Sequence, residues 1–138
     1  MIGEQMHRPA LICVAALVSC LHAIASIAQP RTCEISPLRG AAQPGGAVGS
    51  MAVVNNGQPC GFTTYGVPAE GRNPGYDGRI TLQAKHGKAE IIEARVQYTP
   101  DPGYMGEDEF AYQMSARANS GTRILLKVRF KVKVAAPD

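Results

Sequence analysis

Residues 123–134 read RILLKVRFKVKV, and this segment constrains the fold more than any other. Ile124, Leu126, Val128, Phe130, Val132 and Val134 occupy alternate positions, with Arg123, Leu125, Lys127, Arg129, Lys131 and Lys133 between them. Successive side chains of a strand point to opposite faces, so a period of two specifies an extended strand with one apolar face and one wet face. A helix of the same residues would wind the lysines into its apolar side. One such strand cannot bury its own apolar face, so a second layer must cover it.

The remainder of the chain after residue 28 supplies short strands between strong breakers. No window there holds a 3.6-residue period, and the chain's 15 glycines and 10 prolines recur every few residues. Cys33, Glu34, Ile35 and Ser36 fit a short edge strand. Residues 50–55 and 60–65 fit two more strands, separated by the turn signal Asn55-Asn56-Gly57. Residues 67–79 are rich in Gly and Pro and read as a long surface loop. Residues 79–84 alternate, with Ile80 and Leu82 on one face. Residues 88–92 and 94–98 read as two strands, or as one broken near Glu93. Phe110, Tyr112 and Met114 alternate with Glu109, Ala111 and Gln113, and Asn119-Ser120-Gly121 marks the next turn. Short strands at this spacing predict an all-β, antiparallel sandwich of about seven strands.

The N-terminus reads differently. Residues 10–28 form an apolar run of 19, preceded by Arg8 and ending in Ser26-Ile27-Ala28. Small residues at those exit positions predict a signal peptide over residues 1–28, cleaved before Gln29. The run approaches the length of a membrane span, but His22 and its serines and alanines weaken that reading. Leu17-Val18-Ser19-Cys20 loosely resembles a lipobox, which would place a lipid anchor on Cys20. The apolar residues that follow it make this the weaker alternative. Periplasmic or secreted localisation is therefore expected, with no transmembrane segment after cleavage.

Cleavage after Ala28 would leave 110 residues with two cysteines, Cys33 and Cys60, and the net charge of +3 unchanged. In an exported chain an isolated pair is expected to form a disulfide. Closing that loop stabilises by about 3.5 kcal/mol in the chain-entropy treatment. Two thiols without a nearby histidine do not make a zinc site. The expected organisation is a signal peptide (1–28), a Gly/Pro-rich segment tethered by the disulfide (29–48) and a sandwich domain (49–138).

The stretch YTPDPGYMGEDEFAYQ, residues 98–113, marks a corner between two strands. Pro100 and Pro102 cannot donate to a continuing ladder, and Gly103 and Gly106 tolerate backbone angles closed to other residues. Asp108 is suited to accept hydrogen bonds from backbone N–H groups of the loop. Tyr98, Phe110 and Tyr112 are expected to anchor the corner with buried rings.

These residues carry a resemblance. His86-Gly87, Tyr98-Thr99-Pro100, Pro102-Gly103-Tyr104, Gly106, Asp108, Phe110 and Tyr112, followed by the alternating last strand, resemble the C-terminal half of bacterial Ig-like, cadherin-like repeats. These belong to the VCBS-neighbouring group found in tandem on large surface proteins. The match covers about residues 79–134, in one copy rather than an array, and the N-terminal half fits poorly. The resemblance implies an Ig-like β-sandwich that serves as an adhesive, spacing or carbohydrate-associated unit rather than an enzyme.

Several groups are candidate sites. Asp101, Glu107, Asp108 and Glu109, with Asp77 elsewhere, suggest calcium, but the chain lacks the acidic run that gathers six to eight oxygens. A structural corner is favoured and no metal is expected. Arg123, Lys127, Arg129, Lys131 and Lys133 form a candidate anion-binding face for acidic glycan or another envelope protein. The competing reading is a solvated face that discourages edge pairing, or one neutralised by Glu90, Glu93 or Glu109 on a neighbouring strand. Export and the absence of interleaved aromatics argue against nucleic acid.

No phosphate loop or nucleotide motif is present, so no cofactor is expected. His86 is the only histidine beyond the leader, and no serine lies in a nucleophile-elbow context. The expected function is that of a non-catalytic binding or structural module of the bacterial envelope. The alternative is a small envelope enzyme or enzyme inhibitor acting through the 67–79 loop, with Arg72, Tyr76 and Asp77 as the partner-contacting residues.

Overall fold

The computed structural model describes residues 31–138. The expected leader, residues 1–28, and the lipid-anchor alternative at Cys20 lie outside the described residues. Eight strands follow in order: β1 (Cys33–Ile35), β2 (Ala47–Val54), β3 (Cys60–Thr63), β4 (Tyr76–Leu82), β5 (Gly87–Ile92), β6 (Arg95–Pro100), β7 (Gly106–Arg117) and β8 (Arg123–Ala135). They form a five-stranded sheet, ordered β1-β2-β8-β7-β4, and a three-stranded sheet, ordered β3-β6-β5. The all-β, two-sheet sandwich is as expected.

One pairing departs from the antiparallel rule. β2 runs parallel to β8, from Ala47 opposite Val128 to Val54 opposite Ala135. Parallel neighbours cannot be joined by a hairpin, and here nearly the whole domain lies between the two strands. β2 is also longer than the apolar run at residues 50–55 suggested, because Ala47 and Gly49 already sit in the ladder.

β8 follows its period of two. Leu126, Val128, Phe130, Val132 and Val134 are buried, while Arg123, Leu125, Lys127, Arg129, Lys131 and Lys133 are exposed. The core adds Met51 and Val53 from β2, Val96 and Tyr98 from β6, and Phe110, Tyr112 and Met114 from β7. Its centre is aromatic: Tyr98 stacks on Phe110 at 5.9 Å, Phe110 lies 5.4 Å from Phe130, and Phe62 meets Phe130 edge-on at 5.5 Å. Such offset and edge contacts strengthen ring pairs beyond simple burial. Gly49 makes room for this cluster, since a Cβ there would stand 2.6 Å from both Phe130 and Leu38.

Cys33 and Cys60 form the expected disulfide, with Cα atoms 5.4 Å apart. β1 belongs to the five-stranded sheet and β3 to the three-stranded sheet, so the bond staples the two layers. The Gly/Pro-rich segment is more than a tether. Its Leu38 and Ala41 pack against the core, and Ala41 O accepts from Lys127 N at 2.9 Å, extending β8's pairing before β2 begins. β5 and β6 are two strands, joined through Glu93 at φ 56° and Ala94.

The edges of the sandwich are blunted, as exposed strand edges must be. β1 has three residues and β4 carries two register shifts, one beside Asp77 at φ 50°. β5 is capped by a side chain: Gln83 Oε1 accepts from Ala89 N at 2.8 Å, and Gln83 Nε2 donates to Ala89 O at 3.1 Å. The carboxamide thus stands in for one residue of a missing neighbour strand.

Candidate functional site

The corner at residues 101–105 is held from three sides. Asn55, at the end of β2, donates through Nδ2 to Asp101 O (2.8 Å) and Tyr104 O (3.0 Å). Asp101 N donates to His86 O at 2.9 Å, and the His86 ring stacks on Tyr104 at 4.2 Å. Gly103 (φ 75°) and Gly106 (φ 133°) adopt the angles expected of them. Pro100 ends β6, where its missing N–H leaves no gap in the ladder.

Asp108 is the centre of this end. Its Oδ1 accepts from Lys85 N (3.0 Å) and Glu109 N (2.9 Å), and its Oδ2 accepts from His86 N and Tyr98 Oη, both at 2.9 Å. The first two of its backbone partners in sequence, Lys85 and His86, lie in the β4–β5 turn, not in the corner itself. Asp108 therefore ties one turn to another, a departure from the expectation that it would serve its own loop. Burial opposes its charge, but the donors outweigh burial and hold the carboxyl below the usual aspartate range. Burial first, and then the Asp108 carboxylate, push the Tyr98 phenol well above its ordinary value.

Each Asp108 oxygen already accepts two hydrogen bonds, while Glu107 and Glu109 turn to the outer face. Among the described residues no three His, Cys, Asp or Glu side chains gather in a metal-binding cluster. Tyr98 and Phe110 are fully buried, their rings stacked at 5.9 Å. Tyr112 sits deeper, where its hydroxyl meets Thr64 Oγ1 at 3.3 Å and burial pushes its phenol up to about 12.

The charged row of β8 divides into two unlike halves once its neighbours are known. On β7, Glu107 stands opposite Lys133 and Glu109 opposite Lys131. This acidic column offsets the lysine end. Glu109 also approaches Arg129 Nη1 at 3.9 Å, a solvent-exposed pair of little strength. Glu90 and Glu93 cannot help, because they belong to the β5–β6 hairpin of the other sheet, where Glu90 pairs with Lys88 at 2.9 Å.

Toward the β7–β8 turn the acids of β7 cease, and the exposed Asp77 of β4 forms no ion pair among the described residues. Arg117 stands opposite Arg123, Gln113 opposite Lys127, and Ala111 opposite Arg129. On β4, Arg79 is also opposite Gln113 and donates to its Oε1 at 3.0 Å. Arg79 and Arg117 thus join Arg123, Lys127 and Arg129, although they lie far apart in sequence and only the ladder register brings them together. Val48 and Leu125, 68% and 47% exposed, add apolar contact area to the same face.

A broad concavity lies elsewhere, over the lysine end of the outer face. It is an open trough of about 1090 Å³, with Glu34, Lys131, Lys133, Glu107, Glu109 and Lys85 among its walls. Both signs of charge are mixed along its walls. A second slot, of about 570 Å³, opens between the sheets at Leu38, Phe62, Tyr112 and Leu126.

The proposed partner loop is less free than its composition suggested. Tyr76 and Asp77 belong to β4, so the loop ends before residue 76 and not at residue 79 as expected. Arg117 lies over the Tyr76 ring, 5.8 Å from its centroid. Asn73 Nδ2 donates to Asn119 Oδ1 at 3.2 Å, and Gly66 lies against the Arg117 backbone so closely that a Cβ would clash. Arg72 remains exposed, beyond the single 3-10 turn Ala69–Gly71. Asn55, Gln83 and Ser115 escaped the sequence reading, because each acts through a partner on another segment of the chain.

Among the described residues no helix is long and apolar enough to cross a membrane. No protein-family model, curated protein or solved structure matches this chain.

Proposed function

We propose that this protein is an exported, non-catalytic, Ig-like binding module of the bacterial envelope that contacts an acidic glycan. The contact surface is the basic half of the outer face: Arg79, Arg117, Arg123, Lys127 and Arg129. The observation that carries this reading is the uneven distribution of acids. Lys131 and Lys133 face glutamates across the ladder, whereas the other end of the same face carries five cations and one long ion pair.

The strand order supports the Ig-like reading. Strands β3, β6 and β5 correspond to the B, E and D strands of an Ig domain, and β4, β7 and β8 to C, F and G. The first strands sit beside the last strand of the larger sheet, and the blunted edges leave a face as the natural contact surface. The pinned 67–79 loop gives no support to an enzyme or inhibitor acting through it.

A concentrated, unneutralised basic patch should make binding to a polyanion salt-dependent. The oxidised protein is expected to be retained on a dextran sulfate column. The triple variant Arg79→Glu/Lys127→Glu/Arg129→Glu should elute at much lower salt. The control Lys85→Glu/Lys88→Glu/Arg95→Glu changes net charge equally but lies off this patch, in the β4–β5 turn and the three-stranded sheet. Equal losses in both variants would mean that net charge alone governs retention, and would sink the reading.

A further inference from the structure

Arg117 and Arg123 occupy directly opposed positions at the end of the β7–β8 ladder. Cα atoms of opposed residues are about 4.5–5.5 Å apart, so like charges there repel. Both side chains are exposed, and among the described residues neither forms an ion pair within 4.0 Å. Asp77, on the same edge strand as Tyr76, pairs with neither.

Each arginine is nonetheless held in place. Arg117 Nη1 donates to Gly121 O at 3.0 Å, and its guanidinium lies over Tyr76. Arg123 Nη2 donates to Ser115 Oγ at 3.0 Å, and Ser115 is only 3% exposed. A guanidinium carries five N–H donors, so one such bond leaves most of each fork available. The two forks are positioned but not neutralised.

We propose that Arg117 and Arg123 together form a site for a tetrahedral oxyanion, a phosphate or sulfate ester. The identification of that ester as a substituent of an envelope glycan rests on the function proposed above. A planar carboxylate has two oxygens and is fully engaged by one guanidinium fork. A phosphate or sulfate ester has three terminal oxygens arranged in three dimensions, and can accept from two forks on adjacent strands. Lys127 and Arg79, two positions along the same face, add long-range attraction, and exposed Leu125 lies between the arginine pair and Lys127.

The test is a titration of the oxidised protein with inorganic phosphate, inorganic sulfate and acetate at constant ionic strength. Arginine Nε–H resonances and the amides of Ser115 and Leu125 are followed by NMR. Phosphate and sulfate should give saturable shifts at both arginines, with acetate about tenfold weaker for want of a third oxygen. Arg123→Lys keeps the charge but removes the fork, and should weaken phosphate binding about tenfold. Ser115→Ala should weaken it severalfold while the dispersed hairpin spectrum persists.

A purely architectural role for the two arginines would leave anion selectivity unchanged in these variants. Shifts that grow without saturation, alike for all three anions and undiminished in Arg123→Lys, would overturn the site. Saturable phosphate binding without dextran sulfate retention would uphold the site and remove its glycan setting. Retention without any saturable shift at the arginines would overturn the site and leave the glycan reading standing.

Discussion

The Tyr98 hydroxyl donates to Asp108 Oδ2 across 2.9 Å, joining the middle strand of the three-stranded sheet to β7 of the five-stranded sheet. Together with the Lys85, His86 and Glu109 amides, it makes Asp108 the electrostatic pin of one end of the sandwich. The buried Tyr98 ring and its polar tip serve different ends, one filling the core and the other closing the turn.

Acid should release this pin. The carboxyl is more acidic folded than unfolded, so its contribution is complete above the unfolded value of about 3.9. It disappears as pH falls through the lower folded value. Asp108→Asn turns one acceptor into a donor facing donors, and should cost about 2 kcal/mol or more at pH 7. Denaturant melts at pH 7 and pH 2.5 check this: the gap between wild type and variant should narrow in acid. A gap independent of pH would contradict the role given to the charge.

The disulfide should matter because it closes a 27-residue separation and joins two layers. The double variant Cys33→Ala/Cys60→Ala is expected to lose about 3.5 kcal/mol, mainly through a freer unfolded chain. Thermal melts of wild type with and without reductant should show a matching loss, and reductant should leave the double variant unchanged. A double variant as stable as the oxidised protein would show that packing between β1 and β3 alone holds the layers.

Gln83 should protect the β5 edge. Gln83→Ala leaves the Ala89 N–H and C=O without their partner, at a cost of about 1–2 kcal/mol, and exposes an edge able to pair with another chain. Gln83→Glu keeps the acceptor but sets a carboxylate oxygen against the Ala89 carbonyl, so its loss should be at least as large. Denaturant melts and light scattering at rising concentration measure the two effects. An unaltered melt and an unchanged mass for Gln83→Ala would remove the capping role.

The basic surface shows where sequence reading succeeds and where it stops. The alternation of β8 identifies Lys127, Arg129, Lys131 and Lys133 as one wet face, because side-chain direction in a strand is a local property. It does not identify Glu107 and Glu109 as the neighbours of Lys133 and Lys131, nor Arg117 as the neighbour of Arg123. Glu90 and Glu93 were equally eligible partners until the sheets were known. Likewise Asn55 reads as a turn residue and Ser115 as an ordinary strand residue, since their hydrogen bonds reach segments 46 and eight positions away.

The amino-acid order on its own determined which stretches extend, where they break and which side of each is oily. Those properties follow from alternation, from glycine and proline geometry, and from composition, all of which act over a few residues. Tertiary structure decided that β2 would lie parallel to β8, that the disulfide would link opposite layers, and that five cations from three strands would share one end of a face. Such pairings depend on which faces and edges remain available once the chain has closed on itself, a condition that no short segment contains.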